Sequence, residues 1–200
     1  SVQDEASMMA VELLDPKPGE TVIDACAAPG GKALYMAERM ENRGHILAGD
    51  LYPTRLTLVQ REGERLGVSI VETEKRDALL ADSERRAMAD RVLVDAPCSG
   101  LGVIRRKPEI KYKEWDEDLA RLPEKQLAIL KAQAGCVRLG GTLVYSTCTI
   151  GRRENEEVAS AFLESAPSFL MEESRQLLPS VDGTDGFFMA KFVRTLEGEG

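Results

Sequence analysis

The chain has 200 residues, 43% of them hydrophobic, and 34 acidic against 26 basic residues give a net charge of −8. That length fits one domain with a packed core. No apolar run reaches the roughly 18 residues of a membrane span, the polar start Ser1-Val2-Gln3-Asp4-Glu5 is no signal peptide, and the acidic balance argues against a basic surface spread over the whole molecule. The first residue is not Met, which suggests a piece of a longer protein.

The first periodic segment is Ala6–Leu14, with Ala6, Met9, Ala10, Leu13 and Leu14 on one helical face. The run Thr21–Ala25 reads as a buried strand that ends in the loop Cys26-Ala27-Ala28-Pro29-Gly30-Gly31-Lys32, and a helix over Lys32–Glu41 follows. A strand over His45–Ala48 leads to Asp50, a helix over Thr54–Leu66 stops at Gly67, and a strand over Val68–Val71 precedes Asp77. Strand Arg91–Val94 runs into Asp95-Ala96-Pro97-Cys98. A long amphipathic helix over Leu119–Leu139 contains Cys136, read as a small buried hydrophobe, and the pair Gly140-Gly141 marks its end. Strand Thr142–Tyr145 then leads to Ser146-Thr147-Cys148-Thr149, followed by a helix over Glu154–Leu163. Pro179–Gly186 reads as a loop, and Phe187–Val193 is a last strand with no helix after it.

Strand–helix alternation with near-continuous apolar strands predicts an α/β fold: a mostly parallel central sheet, helices on both faces, and an antiparallel C-terminal strand. Ligands bind such sheets past the carboxyl ends of the strands. The Pro29-Gly30-Gly31 turn is neither a dinucleotide fingerprint nor a P-loop, and it suits a cofactor with a small charged tail, such as the amino acid part of S-adenosylmethionine. Asp50 is placed to accept ribose hydroxyls, and Asp77 to accept from an adenine amino group. Each aspartate alone reads more readily as a turn or capping residue; the ordered set Asp50, Asp77 and Asp95 at successive strand ends favours a site.

Cys98 and Cys148 follow two different strands, which predicts that two sulfurs meet beside the methyl donor with a flipped pyrimidine between them. Cytosine C5 is too poor a nucleophile to take a methyl group unaided, and a thiolate adding at C6 makes it enamine-like. Cys148 is then the nucleophile, favoured as thiolate by Arg152, Arg153 and a helix N-terminus. Asp95 holds the ring edge, Lys32 polarises it, and Cys98 assists the final elimination. The run Arg105, Arg106, Lys107, Lys111 and Lys113, with Arg152 and Arg153, is a candidate phosphate-facing rim. The four cysteines form no C-x-x-C pair and His45 is the single histidine, so no metal site is expected. Free thiols fit a reducing, cytoplasmic setting.

These strings resemble the bacterial RNA 5-methylcytosine methyltransferases. The resemblance rests on Gln3-Asp4-Glu5-Ala6-Ser7, Asp24 to Lys32, Asp95-Ala96-Pro97-Cys98-Ser99-Gly100, Tyr145-Ser146-Thr147-Cys148-Thr149, Glu154-Asn155-Glu156 and Asp185-Gly186-Phe187-Phe188. Leu101 to Lys111 is most similar to the small-subunit (16S) ribosomal RNA enzymes. The resemblance implies a Rossmann-like class I methyltransferase fold, S-adenosylmethionine as cofactor and RNA, above all ribosomal RNA, as partner. It implies no metal, no membrane and a monomer. It places the nucleophile at Cys148, product release at Cys98, and cofactor contacts at Cys26, Ala27, Ala28, Pro29, Gly30, Gly31, Lys32, Asp50, Asp77 and Asp95. Ala33 departs from the Thr or Ser that family members often carry. Such relatives have an additional N-terminal RNA-binding domain, whereas this chain begins at the entry motif, so residues 1–200 are expected to form a single catalytic domain. The competing readings are a transfer RNA enzyme, a DNA enzyme attacking through Cys98, a noncatalytic RNA-binding module that keeps the fold, and an oxidoreductase, which the missing G-x-G-x-x-G disfavours.

Overall fold

The computed structural model describes residues 5–112 and 117–195. The seven α-helices and seven strands among the described residues are numbered in chain order. They are α1 (Glu5–Leu14), β1 (Thr21–Asp24), α2 (Gly31–Arg39), β2 (His45–Asp50), α3 (Pro53–Leu66), β3 (Val71–Lys75) and β4 (Ala89–Asp95). Then come α4 (Glu117–Ala120), α5 (Leu122–Ala134), β5 (Val137–Thr147), α6 (Glu156–Ser165), β6 (Phe169–Leu177), α7 (Pro179–Asp182) and β7 (Phe187–Arg194).

The strands form one sheet in the order β3-β2-β1-β4-β5-β7-β6. β1 to β5 run parallel, and β7 is antiparallel to both β5 and β6. The predicted architecture is therefore the observed one. Strand order reverses between β1 and β4, which leaves a crevice past their carboxyl ends.

Alternation along the central strands explains why helices cover both faces. Val92 and Val94 of β4, with Leu143 and Tyr145 of β5, enter a core with Ile129 and Leu130 of α5 and Phe162 of α6. Leu93 and Val144 point the other way, into a core with Val11 of α1, Met36 of α2 and Leu56 of α3. Both central strands are buried on both faces, as their unbroken apolar runs require. No helix among the described residues is long and apolar enough to cross a membrane.

Several boundaries differ from the sequence reading. The strand expected at Val68–Val71 lies at Val71–Lys75; it is an edge strand paired only with β2, so it needs no apolar run. The helix expected to reach Leu139 ends at Ala134, and β5 begins at Val137. Gly140-Gly141 does not end an element but lies inside β5, where its pairing with β4 shifts register between Ala89 and Arg91. A Cβ on Gly141 would come within 2.9 Å of the Asp90 carbonyl, so the irregularity demands glycine. Cys136 is fully buried, as expected of a small hydrophobe, but it sits at the α5–β5 junction and not within a helix. β6 has no counterpart in the sequence reading: its sequence FLMEESRQL is mostly exposed, and it pairs with β7 alone. Within the expected loop Pro179–Gly186, the residues Pro179–Asp182 form a single helical turn.

Candidate active site

The carboxyl ends of the parallel strands deliver one functional residue each. β1 ends at Asp24, β2 at Asp50 and β4 at Asp95; Cys148 follows β5 directly. The β4–β5 register pairs Asp95 with Ser146, so the carboxylate and the loop carrying Cys148 lie side by side. A cleft of about 310 Å³ has Cys26, Ala28, Asp50 and Asp77 on one side and Asp95, Cys98 and Cys148 on the other. A second groove of about 590 Å³ shares Cys26, Ala28 and Asp95 with it, and adds Ser7, Asp24, Ala27, Pro29, Gly31 and Lys32.

The two sulfurs are in contact, with Cys98 Sγ 3.1 Å from Cys148 Sγ. No ring fits between them, which corrects the expectation of a pyrimidine held between two thiols; a base must approach Cys148 from the cleft side. The contact polarises the pair. The Cys98 hydrogen bond holds the Cys148 thiol below its ordinary value against the opposing effects of burial and Asp95, and Lys32 helps. Cys98 is pushed well above its ordinary value by that same hydrogen bond, then by burial. Lys32 also acts on Cys148, so Cys148 is the more acidic thiol of the pair. Arg152 and Arg153 are exposed and are not among the main influences on Cys148, and α6 begins only at Glu156. The cation that favours the thiolate is Lys32.

Lys32 Nζ lies 2.7 Å from Asp95 Oδ2 and 5.6 Å from the centre of the Phe187 ring. Burial opposes its charge, but Asp95 outweighs that and holds the ammonium above its ordinary value. The other Asp95 oxygen accepts from the Ser146 hydroxyl at 2.8 Å. The four residues assigned to catalysis, Cys148, Cys98, Asp95 and Lys32, are thus brought together.

The aspartates serve both as turn residues and as cleft residues. Asp50, 4% exposed, accepts the Tyr52 amide at 3.0 Å and pairs with Arg55 at 3.3 Å, yet it lines the cleft. Arg55 also donates to the Ala28 carbonyl at 2.8 Å, which ties the glycine loop to α3. Asp77 accepts the Leu79 amide at 3.0 Å as a turn residue and also faces the cleft. Gly30 lines neither cavity. It has φ +110°, and a Cβ there would meet Val59 at 3.1 Å, so it lets the loop pack on α3.

Sequence reasoning missed Asp24. It is 1% exposed, and no donor among the described residues meets either carboxylate oxygen with hydrogen-bond geometry. Burial pushes its pKa up to about 7, with Asp95 adding to the rise and Lys32 and the Cys26 amide offsetting part of it. A buried carboxylate with such unmatched oxygens, beside a groove, fits a ligand that brings a positive amino group. The signal was present: Asp24 is a strand-end carboxylate like Asp50 and Asp95.

Two glycines seat the loop behind the thiols. The Gly102 amide donates to the Cys148 carbonyl at 3.0 Å, and the Gly186 amide donates to the Gly102 carbonyl at 2.9 Å. A Cβ on Gly102 would lie 1.9 Å from the Gly186 carbonyl oxygen. Beside them, Asp185, 1% exposed, pairs with Arg105 at 3.1 Å and Arg106 at 2.8 Å. Two members of the expected phosphate rim therefore also anchor this loop, although both side chains are half exposed. Lys107 is exposed, while Lys113 and the Lys111 side chain lie outside the described residues.

The strand order, the switch-point cleft and the loop after β1 define the Rossmann-like fold of S-adenosylmethionine-dependent methyltransferases. A crystal structure of PH0851 superposes with a TM-score of 0.92 at 36% identity, covering 96% of this chain and 46% of that one. A crystal structure of NSun6 from Pyrococcus horikoshii with SFG gives 0.85 at 31% identity, covering 98% of this chain and 53% of that one. Within that class the chain belongs to the 16S rRNA methyltransferase RsmB/F family, whose model matches residues 11–193. A relative from Bacillus subtilis (strain 168), named "Probable ribosomal RNA small subunit methyltransferase B", is 48% identical over 94% of this chain and 46% of its own length. The chain spans about half the length of the curated relatives it matches.

Proposed function

We propose that this chain is the catalytic domain of a ribosomal RNA cytosine-C5 methyltransferase that acts in the cytoplasm through a covalent Cys148–C6 adduct. The observation that carries the reading is the contact between two strand-end sulfurs at one end of a cleft whose other end is the glycine loop and Asp50. The names of the small-subunit relatives favour ribosomal RNA over transfer RNA or DNA.

S-adenosylmethionine, when bound, supplies an electrophilic methyl group. Asp50 is positioned to hold its ribose hydroxyls, Asp77 its adenine amino group, and Asp24 with the Cys26–Lys32 loop its amino acid end. The Cys148 thiolate adds to cytosine C6 and leaves C5 electron-rich. Lys32, held as an ammonium by Asp95, offers positive charge where the ring takes up negative charge. After C5 is methylated, solvent water takes up the C5 proton, the C5–H electron pair restores the C5=C6 double bond, and the C6–S bond breaks with its pair returning to the Cys148 sulfur. Cys98, whose Sγ lies 3.1 Å from Cys148 Sγ, is within reach to donate an S–H hydrogen bond to the departing Cys148 sulfur.

RNA carrying 5-fluorocytosine tests the reading, because its adduct has no C5 proton to lose. Wild type and Cys98→Ser should form a band stable to denaturation, and Cys148→Ser should not. A band that depends on Cys98 and survives loss of Cys148 would replace this assignment with the DNA-type mechanism.

A further inference from the structure

Both thiols sit in loops, yet the residues on either side of each are fixed by side chains that do not reach the cleft. Gln126 Nε2 donates to the Pro97 carbonyl at 3.0 Å and to Glu154 Oε2 at 2.9 Å. The same Glu154 oxygen accepts the Ser99 amide at 2.9 Å. The neighbours of Cys98 therefore hang from one Gln–Glu pair. Asn155 does the same for Cys148: its Oδ1 accepts the Thr147 hydroxyl at 2.6 Å, and its Nδ2 donates to the Thr149 carbonyl at 3.1 Å. A contact of 2.9 Å between the Ser99 and Thr149 hydroxyls joins the two clamps.

Glu154 and Asn155 are consecutive, 6% and 0% exposed, and neither lines the cleft. Both are held in turn from outside the loops. The Tyr145 hydroxyl donates to the Glu154 carbonyl at 2.6 Å, and Gln176 Oε1 accepts from Asn155 Nδ2 at 2.7 Å. A buried carboxylate that receives a backbone amide and a side-chain amide on one oxygen makes charge-assisted bonds, stronger and more directional than neutral ones. Its removal strands two buried donors.

We propose that Glu154 with Gln126 on the Cys98 side, and Asn155 on the Cys148 side, are positioning residues that fix the separation of the two sulfurs, and that the function of the Glu154–Gln126 pair is release of the methylated product. The proposal rests on the reading that Cys148 forms the adduct and Cys98 assists its breakdown. Glu154 controls the Cys98 side, and attack by Cys148 needs that side only to favour its thiolate, a need that vanishes at a pH above the Cys148 midpoint. Loosening Glu154 should therefore spare adduct formation and methyl transfer but slow elimination.

The test compares Glu154→Ala, Glu154→Gln and Gln126→Ala in the full 200-residue chain, with wild type and Cys148→Ser as references. For Glu154→Ala, assayed at a pH above the alkylation midpoint of Cys148, single-turnover methyl transfer and the KM for S-adenosylmethionine should change little. Steady-state kcat should fall about 10- to 100-fold, the scale of a misplacement near 1 Å. Methylated RNA should remain covalently attached to the protein. Without RNA, the pH midpoint for alkylation of Cys148 should rise, because the Cys98 hydrogen bond that favours the thiolate is loosened. Glu154→Gln keeps an acceptor oxygen in place and should restore turnover and the midpoint. Gln126→Ala should show the same pattern more weakly, and it keeps the test open if Glu154→Ala does not fold. Normal turnover in these variants would overturn the proposal. So would a parallel loss of transfer and release without trapped adduct. An adduct that still forms in Cys148→Ser would instead overturn the underlying mechanism, a separate outcome.

Discussion

The two sides of the cleft differ in how many of their polar groups already have partners. On the β1–β2 side, Asp24 is buried with both oxygens unmatched among the described residues, and Asp50 shares an ion pair with an arginine that is half exposed. On the β4–β5 side, Asp95 is held by Lys32 and Ser146, each thiol has the other, and the residues flanking both thiols are bonded to Glu154, Gln126 and Asn155. A small ligand can complete the first side, since unmatched charge is relieved when a complementary group arrives. The second side must be in place before substrate comes, because groups that act on a transition state gain most when they need no rearrangement.

The largest effect should come from breaking the preformed side at its centre. Cys148→Ser should lower methylation by about 10³-fold or more while leaving cofactor affinity unchanged, measured by methyl incorporation and calorimetry. Gly102→Ala forces a Cβ into the Gly186 backbone and should lower unfolding free energy by about 3 kcal/mol, read from denaturant melts. Retention of full stability would show that the loops behind the thiols yield more easily than their contacts imply.

Effects on the incomplete side should appear in binding. Asp24→Asn and Asp50→Ala should each weaken S-adenosylmethionine by about 1.5–3 kcal/mol, the cost of a lost bond to a charged group. The two differ in pH dependence. Asp24 must give up its proton to pair with an ammonium, and its pKa stands at about 7. Wild-type affinity should therefore rise as pH increases toward about 7 and level off above it, whereas Asp24→Asn should lack that rise. Stability without ligand runs the opposite way. The folded chain holds this proton up to about 7 and the unfolded chain releases it near 3.8, so the contribution is complete below the lower value and lost as pH climbs through the upper one. Melts from about pH 4 to 8 on wild type and Asp24→Asn would expose this difference. The smallest effect is expected from replacing Arg152 and Arg153 by Ala: the alkylation midpoint of Cys148 should not move, while Lys32→Met should raise it.

The parallel sheet was legible because Arg91–Val94 and Thr142–Tyr145 are short apolar runs without interruption, and a run of that length is buried most readily as a strand covered on both faces. β6 was not legible, because an outermost strand carrying Glu172, Glu173 and Arg175 has the composition of a loop. Gly140-Gly141 misled because an irregularity inside a strand and the end of a helix ask for the same residue. In the site, Cys98 and Cys148 stood out by position after strands. Glu154 and Gln126 did not, because their role exists only after the chain has brought segments 28 residues apart into contact. A weak trace of it was available. Gln126 and Gln133, both fully buried, interrupt the apolar face of α5; the first reaches the Cys98 loop, and the second donates to the carbonyl of Ala78, which lines the cleft, at 2.7 Å. A polar residue on the inward stripe of a helix signals an inward partner.

The packing of Gly186 against Gly102 also orders events in time. A nascent chain that has emerged as far as Cys148 carries both sulfurs, but it lacks the backbone against which they are seated. Until Phe187–Arg194 slides in between β5 and β6, β5 keeps an unpaired edge and Asp185 has not reached its arginines. This strand, translated after both sulfurs, thus closes the cleft that holds them, and a polypeptide terminated before it would hold its thiols without the scaffold that directs them.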